Sequence, residues 1–350
     1  MRKNFLLMET AELDYHLPTE FIAQTPLEPR DSSRLMYLPR TAGFPTNHNF
    51  TDLLHLLRAG DLLVFNDTRV LAARVAARKP TGGKVELLLL RPVVGRQWLV
   101  LVGGRGGAVG GTLVLEGSGQ PVHARVVQAL QASERIVEFS EPVETWIDRL
   151  GSVPLPPYIH AQLRDPERYQ TVYACRPGSA AAPTAGLHFT PQLLQQLAGF
   201  GIASTYVTLH VGLDTFQPIT APTVDAHSIH SEWCKLSLET AEKIAATRAA
   251  GGRVVAVGTT SARVVESAAA VCAGSAAEYA GETRLFITPG YNFQAVDGLI
   301  TNFHLPRSTL LLLAAAILGK GGLPRLLQAY SVAMQAGYRF YSFGDAMLIV

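Results

Sequence analysis

Between Val70 and Ser140 the apolar residues of this chain recur mainly in alternation, within runs too short for anything but strands. The runs VLAARVAARK, GKVELLLLRPV, RQWLVLV, GTLVLE, VHARVVQAL and RIVEFS are separated by PTGG, GGRGG, VGG and GSG. Strand-length runs joined by glycine-rich turns predict about six strands in a small barrel or sandwich. Gly103, Gly104, Gly106 and Gly107 read as a hairpin loop within it. Residues 69–140 also hold ten Lys and Arg against four Glu, a local charge of +6 that leaves −4 for the remainder. Either an Arg-rich solvated β-surface or a polyanion contact accounts for that excess.

The flanking sequence has the longer period of helices. FTDLLHLLRAG reads as a helix ending at Gly60, and DLLVF as a buried strand leading to Asn66-Asp67-Thr68. Beyond residue 140 come the short helix ETWIDRLG, a helix after Thr190, the strand IASTYVTLHV, the helix LETAEKIAATRAAGG, the strand RVVAVG and the helix ARVVESAAAVC. The strand RLFIT, the strand LIT and the helix LLLLAAAIL complete the series. Alternating strands and helices predict an α/β fold: a mostly parallel sheet domain with an inserted small β-barrel domain. The expected division is 1–68 with 141–350 for the α/β domain, and 69–140 for the barrel.

A length of 350 residues accommodates two domains, and 48% hydrophobic against 17% charged residues describes a globular protein. Cys175, Cys234 and Cys272 are too few for a disulfide framework, which suits a reducing cytoplasm. The apolar run before Glu9 is too short for a signal peptide, and LLLLAAAIL falls far below the roughly 20 residues of a membrane span. We therefore expect a cytoplasmic protein with no membrane role, and a monomer.

The candidate chemistry lies where strands end. Thr190 can cap a helix with Pro191 at its first position, and the preceding loop GSAAAPTAGLHF delivers small residues and His188 to that helix start. Thr259, Thr260 and Ser261 follow the strand VVAVG, with Arg263 and Glu266 on the first turns beyond, a place that favours a phosphate or carboxylate. Alternation puts Tyr206, Thr208 and His210 on one strand face, and AHSIHSEW supplies His227, His230 and Glu232. His227-x-x-His230 with Cys234 is a weak zinc pattern without matching partners, so no metal is expected and acid–base work is the more economical use of these imidazoles. GxxxxGK[ST], a helix-opening GxGxxG and GxSxG are all absent.

Eight strings in order, LDYHLPTEFIAQTPLEPRDSSRLM, GDLLVFNDTRVLAARV, GSAAAPTAGLHFT, VTLHVGLDTFQP, HSIHSEW, AVGTTSARVVES, LITNFHLPRSTLLLL and YRFYSFGDAMLIV, resemble the S-adenosylmethionine:tRNA ribosyltransferase-isomerase family of the queuosine pathway. The resemblance is collinear from about Leu13 to Val350. Asp214 stands where the family usually has HVGLGTF, and Ala262-Arg263-Val264-Val265-Glu266 replaces a VRTLE-like run while keeping Arg263 and Glu266.

The resemblance implies transfer and isomerisation of the ribosyl portion of S-adenosylmethionine onto 7-aminomethyl-7-deazaguanine at the tRNA wobble position, giving epoxyqueuosine-tRNA, adenine and methionine. S-adenosylmethionine is then a consumed substrate and no other cofactor is needed. The product ring requires a base at the sugar C5′, an acid for adenine and donors for a developing oxyanion. His188, His210, His230 and Glu232 are the acid–base candidates. Thr259, Thr260 and Arg263, with Glu266, would bind the methionyl carboxylate or a tRNA phosphate. Thr184, Ala185, Gly186 and Phe189 would line an adenosyl pocket with His188, or else form a tight packing loop. Asp31, Ser33, Arg34, Asn66, Asp67 and Arg69 match motif positions near the domain junction, and Asn302, His304 and Asp345 match positions near the end of the sheet. A non-catalytic tRNA-binding protein and a methyltransferase are the rival readings.

Overall fold

The computed structural model of the chain describes residues 8–104, 107–212, 215 and 217–350. Two units pack separately: the described residues up to Thr68 with Pro156–Arg176 and Pro183–Val350, and Arg69–Leu155 with Pro177–Ala182. The larger unit begins with strands β1 (Arg34–Leu38), β2 (Thr46–Asn49) and β3 (Leu62–Asn66). FTDLLHLLRAG is shorter as a helix than its apolar spacing predicts. A 3₁₀ turn at Phe50–Asp52 leads into α-helix only over Leu53–Leu56, and Phe50 and Leu53 are buried.

The smaller unit is the barrel. Its strands are β4 (Arg74–Arg78), β5 (Lys84–Val94), β6 (Gln97–Gly103), β7 (Thr112–Leu115), β8 (His123–Ala129) and β9 (Glu134–Phe139). They pair in the order β4-β5-β6-β9-β8-β7, β4 also pairs with β7 so that the sheet closes on itself, and the short segment Gly151–Ser152 adds to β4 beside that closure. Alternation does the sorting: Trp98, Val100 and Val102 of β6 are buried while the residues between them are partly exposed. Gly106 of the expected hairpin loop lies outside the described residues.

One boundary needs correction. ETWIDRLG belongs with the barrel rather than the α/β unit, because Val143, Trp146 and Ile147 sit in the barrel's own apolar core. The Trp146 ring lies 5.0 Å from that of Phe139, and Trp146 is 1% exposed. Trp146→Ala is therefore expected to destabilise this unit by about 3–5 kcal/mol, read as a lowered urea midpoint.

The larger unit resumes with α1 (Pro191–Gly199), β10 (Ala203–Leu209), β11 (Glu232–Leu236), α2 (Leu238–Ala249), β12 (Val254–Val257) and α3 (Thr259–Val271). β13 (Tyr279–Thr283), β14 (Gly298–Asn302), α4 (Thr309–Ile317), α5 (Gly322–Gln335) and β15 (Ala346–Ile349) follow. Thr190 caps α1 by accepting from Leu193 N at 3.1 Å, with Pro191 at the first position. The strand expected at RLFIT lies one step earlier, on Tyr279–Thr283, where Glu232 pairs with Thr283. Leu285, Phe286 and Ile287 are left unpaired to line a cleft instead.

The nine strands run β13-β11-β10-β3-β12-β14-β15-β1-β2. The sheet is mixed: β10, β3, β12 and β14 are mutually parallel, as are β15 and β1, whereas β13–β11, β11–β10, β14–β15 and β1–β2 are antiparallel. Among the described residues no single helix is long and apolar enough to cross a membrane, and Leu311–Ile317 of α4 is buried in the fold.

Candidate active site

Strand direction places the candidate residues. The parallel strands β10, β3, β12 and β14 end at Leu209, Asn66, Val257 and Asn302, so His210, Asp67, Thr259 and His304 emerge along one edge. Antiparallel β11 and β15 start on that same edge, with Leu209 opposite Cys234 and Asn302 opposite Ala346. This brings Glu232 and Asp345 into the line. β1 runs parallel to β15 with Leu35 beside Ala346, which adds Ser33 and Arg34.

At the β14–β1 end, His188 is fixed on both ring nitrogens. Thr184 Oγ1 donates to Asn302 Oδ1 (3.0 Å), so the Asn302 amide nitrogen faces Tyr341 O (3.1 Å) and His188 Nε2 (3.3 Å). Nε2 therefore accepts, and Nδ1–H donates to Ser33 Oγ at 2.8 Å. The ring stacks on Phe50 at 4.9 Å and is 4% exposed. Burial, aided by the positive charges of Arg339 and Arg30, pulls its pKa down to about 3. A neutral ring with both nitrogens engaged cannot serve as a general acid, and that expectation for His188 is set aside.

Arg30, Arg168 and Arg339 line a cleft with Ser33 and His188. None was singled out from the sequence. Arg30 stands in the string LEPRDSSRLM, whereas DPERYQ around Arg168 carries no chemical signal.

In the middle of the edge, Asn66 is structural. Its amide donates to Leu209 O (3.0 Å) and accepts from Leu209 N (3.0 Å) and Thr68 N (3.2 Å), tying β3 to β10. Asp67 accepts from Thr208 Oγ1 at 2.7 Å. Thr68 Oγ1 lies 2.8 Å from His210 Nδ1 and 3.4 Å from Arg176 O; with the hydroxyl proton assigned to Arg176 O, Nδ1–H donates to Thr68 and Nε2 of His210 keeps its lone pair. His210 stacks on Trp233 at 5.2 Å. Burial lowers its pKa below 6.5, with the Asp67 carboxylate opposing.

Beyond it, Glu232 anchors a polar cluster. Its Oε1 accepts from Gly212 N (3.0 Å) and Thr215 Oγ1 (3.4 Å), and its Oε2 accepts from Arg263 Nη1. His230 Nε2 lies 3.3 Å from Oε1 without the alignment of a hydrogen bond. Burial of Glu232 resists ionisation, but His230, Arg263 and the Gly212 amide outweigh it and hold the carboxyl below its usual range. Gly258, whose φ of 87° few residues but glycine adopt, precedes α3, and no side chain among the described residues caps the helix. Asp214, in the loop after His210, lies outside the described residues.

The remaining candidates hold the protein together. Glu266 is fully buried and accepts from Tyr291 Oη, Gln294 N, Ala295 N and Val296 N at 2.8–3.0 Å, so it fixes the 291–296 loop instead of joining Thr259 and Thr260. Asp345 accepts from the Arg34 and Arg339 amides (3.0 and 2.8 Å), while Arg34 reaches Ala336 O and Gly337 O and covers the Tyr338 ring. Asp31 accepts from Thr190 Oγ1 at 2.6 Å. His304 bonds Thr301 Oγ1 at 2.7 Å, and burial lowers its pKa to about 3. Arg69 is the first residue of the barrel unit.

The adenosyl-pocket expectation for Ala185, Gly186 and Phe189 is corrected. Phe189 is fully buried, edge-on to Phe50 and Phe65, and Ala185 shares that core. At Gly186 an added Cβ would stand 2.0 Å from Tyr173 Oη and 2.9 Å from Thr171 Cγ2, so the glycine answers to protein packing. Gly186→Ala is expected to cost about 1–3 kcal/mol in thermal unfolding through overpacking.

A mixed α/β sheet bearing histidines, carboxylates and hydroxyls along one edge, with a closed β-barrel inserted in the chain, defines an α/β enzyme of the barrel-insertion type. Residues 10–349 match the family described as queuosine biosynthesis protein, and the chain belongs to that family. It is 50% identical over 348 residues to S-adenosylmethionine:tRNA ribosyltransferase-isomerase of Heliobacterium modesticaldum, covering 98% of this chain and all of that one. The namesake protein of Carboxydothermus hydrogenoformans is 48% identical over 351 residues, with the same coverage. The crystal structure of S-adenosylmethionine tRNA ribosyltransferase from Thermotoga maritima aligns over 97% of this chain and 100% of that one, with a TM-score of 0.57 and 36% identity.

Proposed function

We propose that this chain transfers and isomerises the ribosyl moiety of S-adenosylmethionine onto 7-aminomethyl-7-deazaguanine in the wobble position of tRNA, releasing adenine and methionine. The observation that carries this reading is full-length similarity at about half identity to relatives bearing one enzyme name. Removing the C5′ proton beside the sulfonium needs a deprotonated base, and His210 is the candidate whose Nε2 and lowered pKa fit that task. Thr68 positions it through Nδ1. His188 is a positioning residue that holds Ser33 and Asn302 in place.

For the tRNA, the barrel offers charge. Lys84, Arg91 and Arg125 are exposed and pair with no carboxylate among the described residues. A phosphate-contacting surface of this kind loses affinity as salt rises. Incubating the protein with S-adenosylmethionine and tRNA bearing the deazaguanine amine tests the reading. Free adenine and methionine with the modified nucleoside would support it. S-adenosylhomocysteine would mark a methyltransferase, and tRNA binding without adenine release a non-catalytic binder.

A further inference from the structure

The cleft beside α3 contains two buried donors with no hydrogen-bond partner among the described residues: Thr260 Oγ1 and Arg263 Nη2, on residues 8% and 7% exposed. Such orphans are costly unless a ligand satisfies them. The uncapped first turn of α3 adds free amides and the positive end of a 13-residue helix dipole at the same place. These groups select an anion. Yet Glu232 also lines the cleft, and its charge cancels that of Arg263. A phosphate dianion would meet that carboxylate at close range. A carboxylate tethered to an ammonium would not, because Glu232 Oε2, whose recorded partner is Arg263, has a lone pair for the ammonium. The rest of the lining mixes polar Thr215, His230 and Thr309 with apolar Leu285, Ile287 and Leu313, the latter suited to the two methylenes between the amino-acid end and the sulfonium.

We propose that this cleft holds an α-amino-acid zwitterion, the methionyl end of the donor, with Thr260 Oγ1, Arg263 Nη2 and the α3 amides on its carboxylate and Glu232 on its ammonium. The assignment rests on the donor being S-adenosylmethionine, as proposed above. It gives Arg263 two faces: one nitrogen holds Glu232 and the other holds the ligand.

Calorimetric titration of S-adenosylmethionine and its decarboxylated analogue into wild type and Thr260→Val tests it. Wild type is expected to bind the decarboxylated analogue at least tenfold more weakly, as loss of charge-assisted bonds predicts. Thr260→Val is expected to weaken the intact donor on the order of tenfold and to leave the analogue's affinity within about twofold. Equal binding of both ligands by wild type overturns the subsite, as does a Thr260→Val loss of the same size for both. Adenine release by wild type is measured in parallel. If release proceeds while either overturning result holds, only the subsite fails; if neither ligand binds and no adenine appears, the donor reading fails and the subsite with it.

Discussion

His210→Gln is expected to lower turnover by about 10²–10⁴-fold while leaving the unfolding midpoint near that of wild type. The effect follows from one hydrogen-bond chain: Arg176 O accepts from the Thr68 hydroxyl, which accepts from Nδ1 and so commits Nε2 to the deprotonated form. The pH profile carries the same information with a definite sign. An imidazole must be neutral to act as a base, and burial lowers the pKa of His210. The kcat/KM is therefore expected to hold at neutral pH and to fall on an acid limb that lies below 6.5. Thr68→Val frees Nδ1 and should reduce turnover about tenfold without unfolding the chain. Turnover of His210→Gln within tenfold of wild type would remove this histidine from the reaction.

The second large effect concerns stability in acid. His188 and His304 have folded-state pKa values of about 3, against 6.5 in an unfolded chain. Above pH 6.5 both states are neutral and the folded state keeps its full stability. Below it the unfolded chain takes up protons that the fold refuses, so each histidine costs about 1.4 kcal/mol per pH unit until its folded value is reached. At pH 5 the two together are expected to remove about 4 kcal/mol. Urea unfolding at pH 7.5 and 5.0 measures this, and His304→Gln should shrink the difference between the two pH values by roughly half. An unchanged difference would show that His304 is protonated in the fold.

The barrel was legible because alternation and glycine turns are local: each of the six apolar runs became a strand. What local pattern could not show was that Trp146, in a helical stretch, fills the barrel core, since that depends on volume left by distant strands. The candidate site was legible as polar residues following strands, and topology then put His210, Asp67, Thr259, Glu232, Asp345 and Ser33 on one edge. Individual roles were not. Glu266 and Arg263 are three residues apart on one helix, yet one faces a row of backbone amides and the other a buried carboxylate, a difference only tertiary contacts decide. Small residues before α1 suggested room for a flat ligand, but Tyr173 occupies the space beside Gly186.

The pairing of β1 with β15 also dictates when the protein can become active during synthesis. Leu35 waits for Ala346, and the bond from the Arg34 amide to Asp345 forms beside that pair. Contacts of such sequence separation form late. The six barrel strands, all made by Phe139, can pair on the ribosome while the larger sheet still lacks strands, with Pro177–Ala182 joining that unit later. A nascent chain released before residues 346–349 would carry the barrel strands, a β1 without its β15 partner and an incomplete candidate-site edge, making it a substrate for chaperones or proteases.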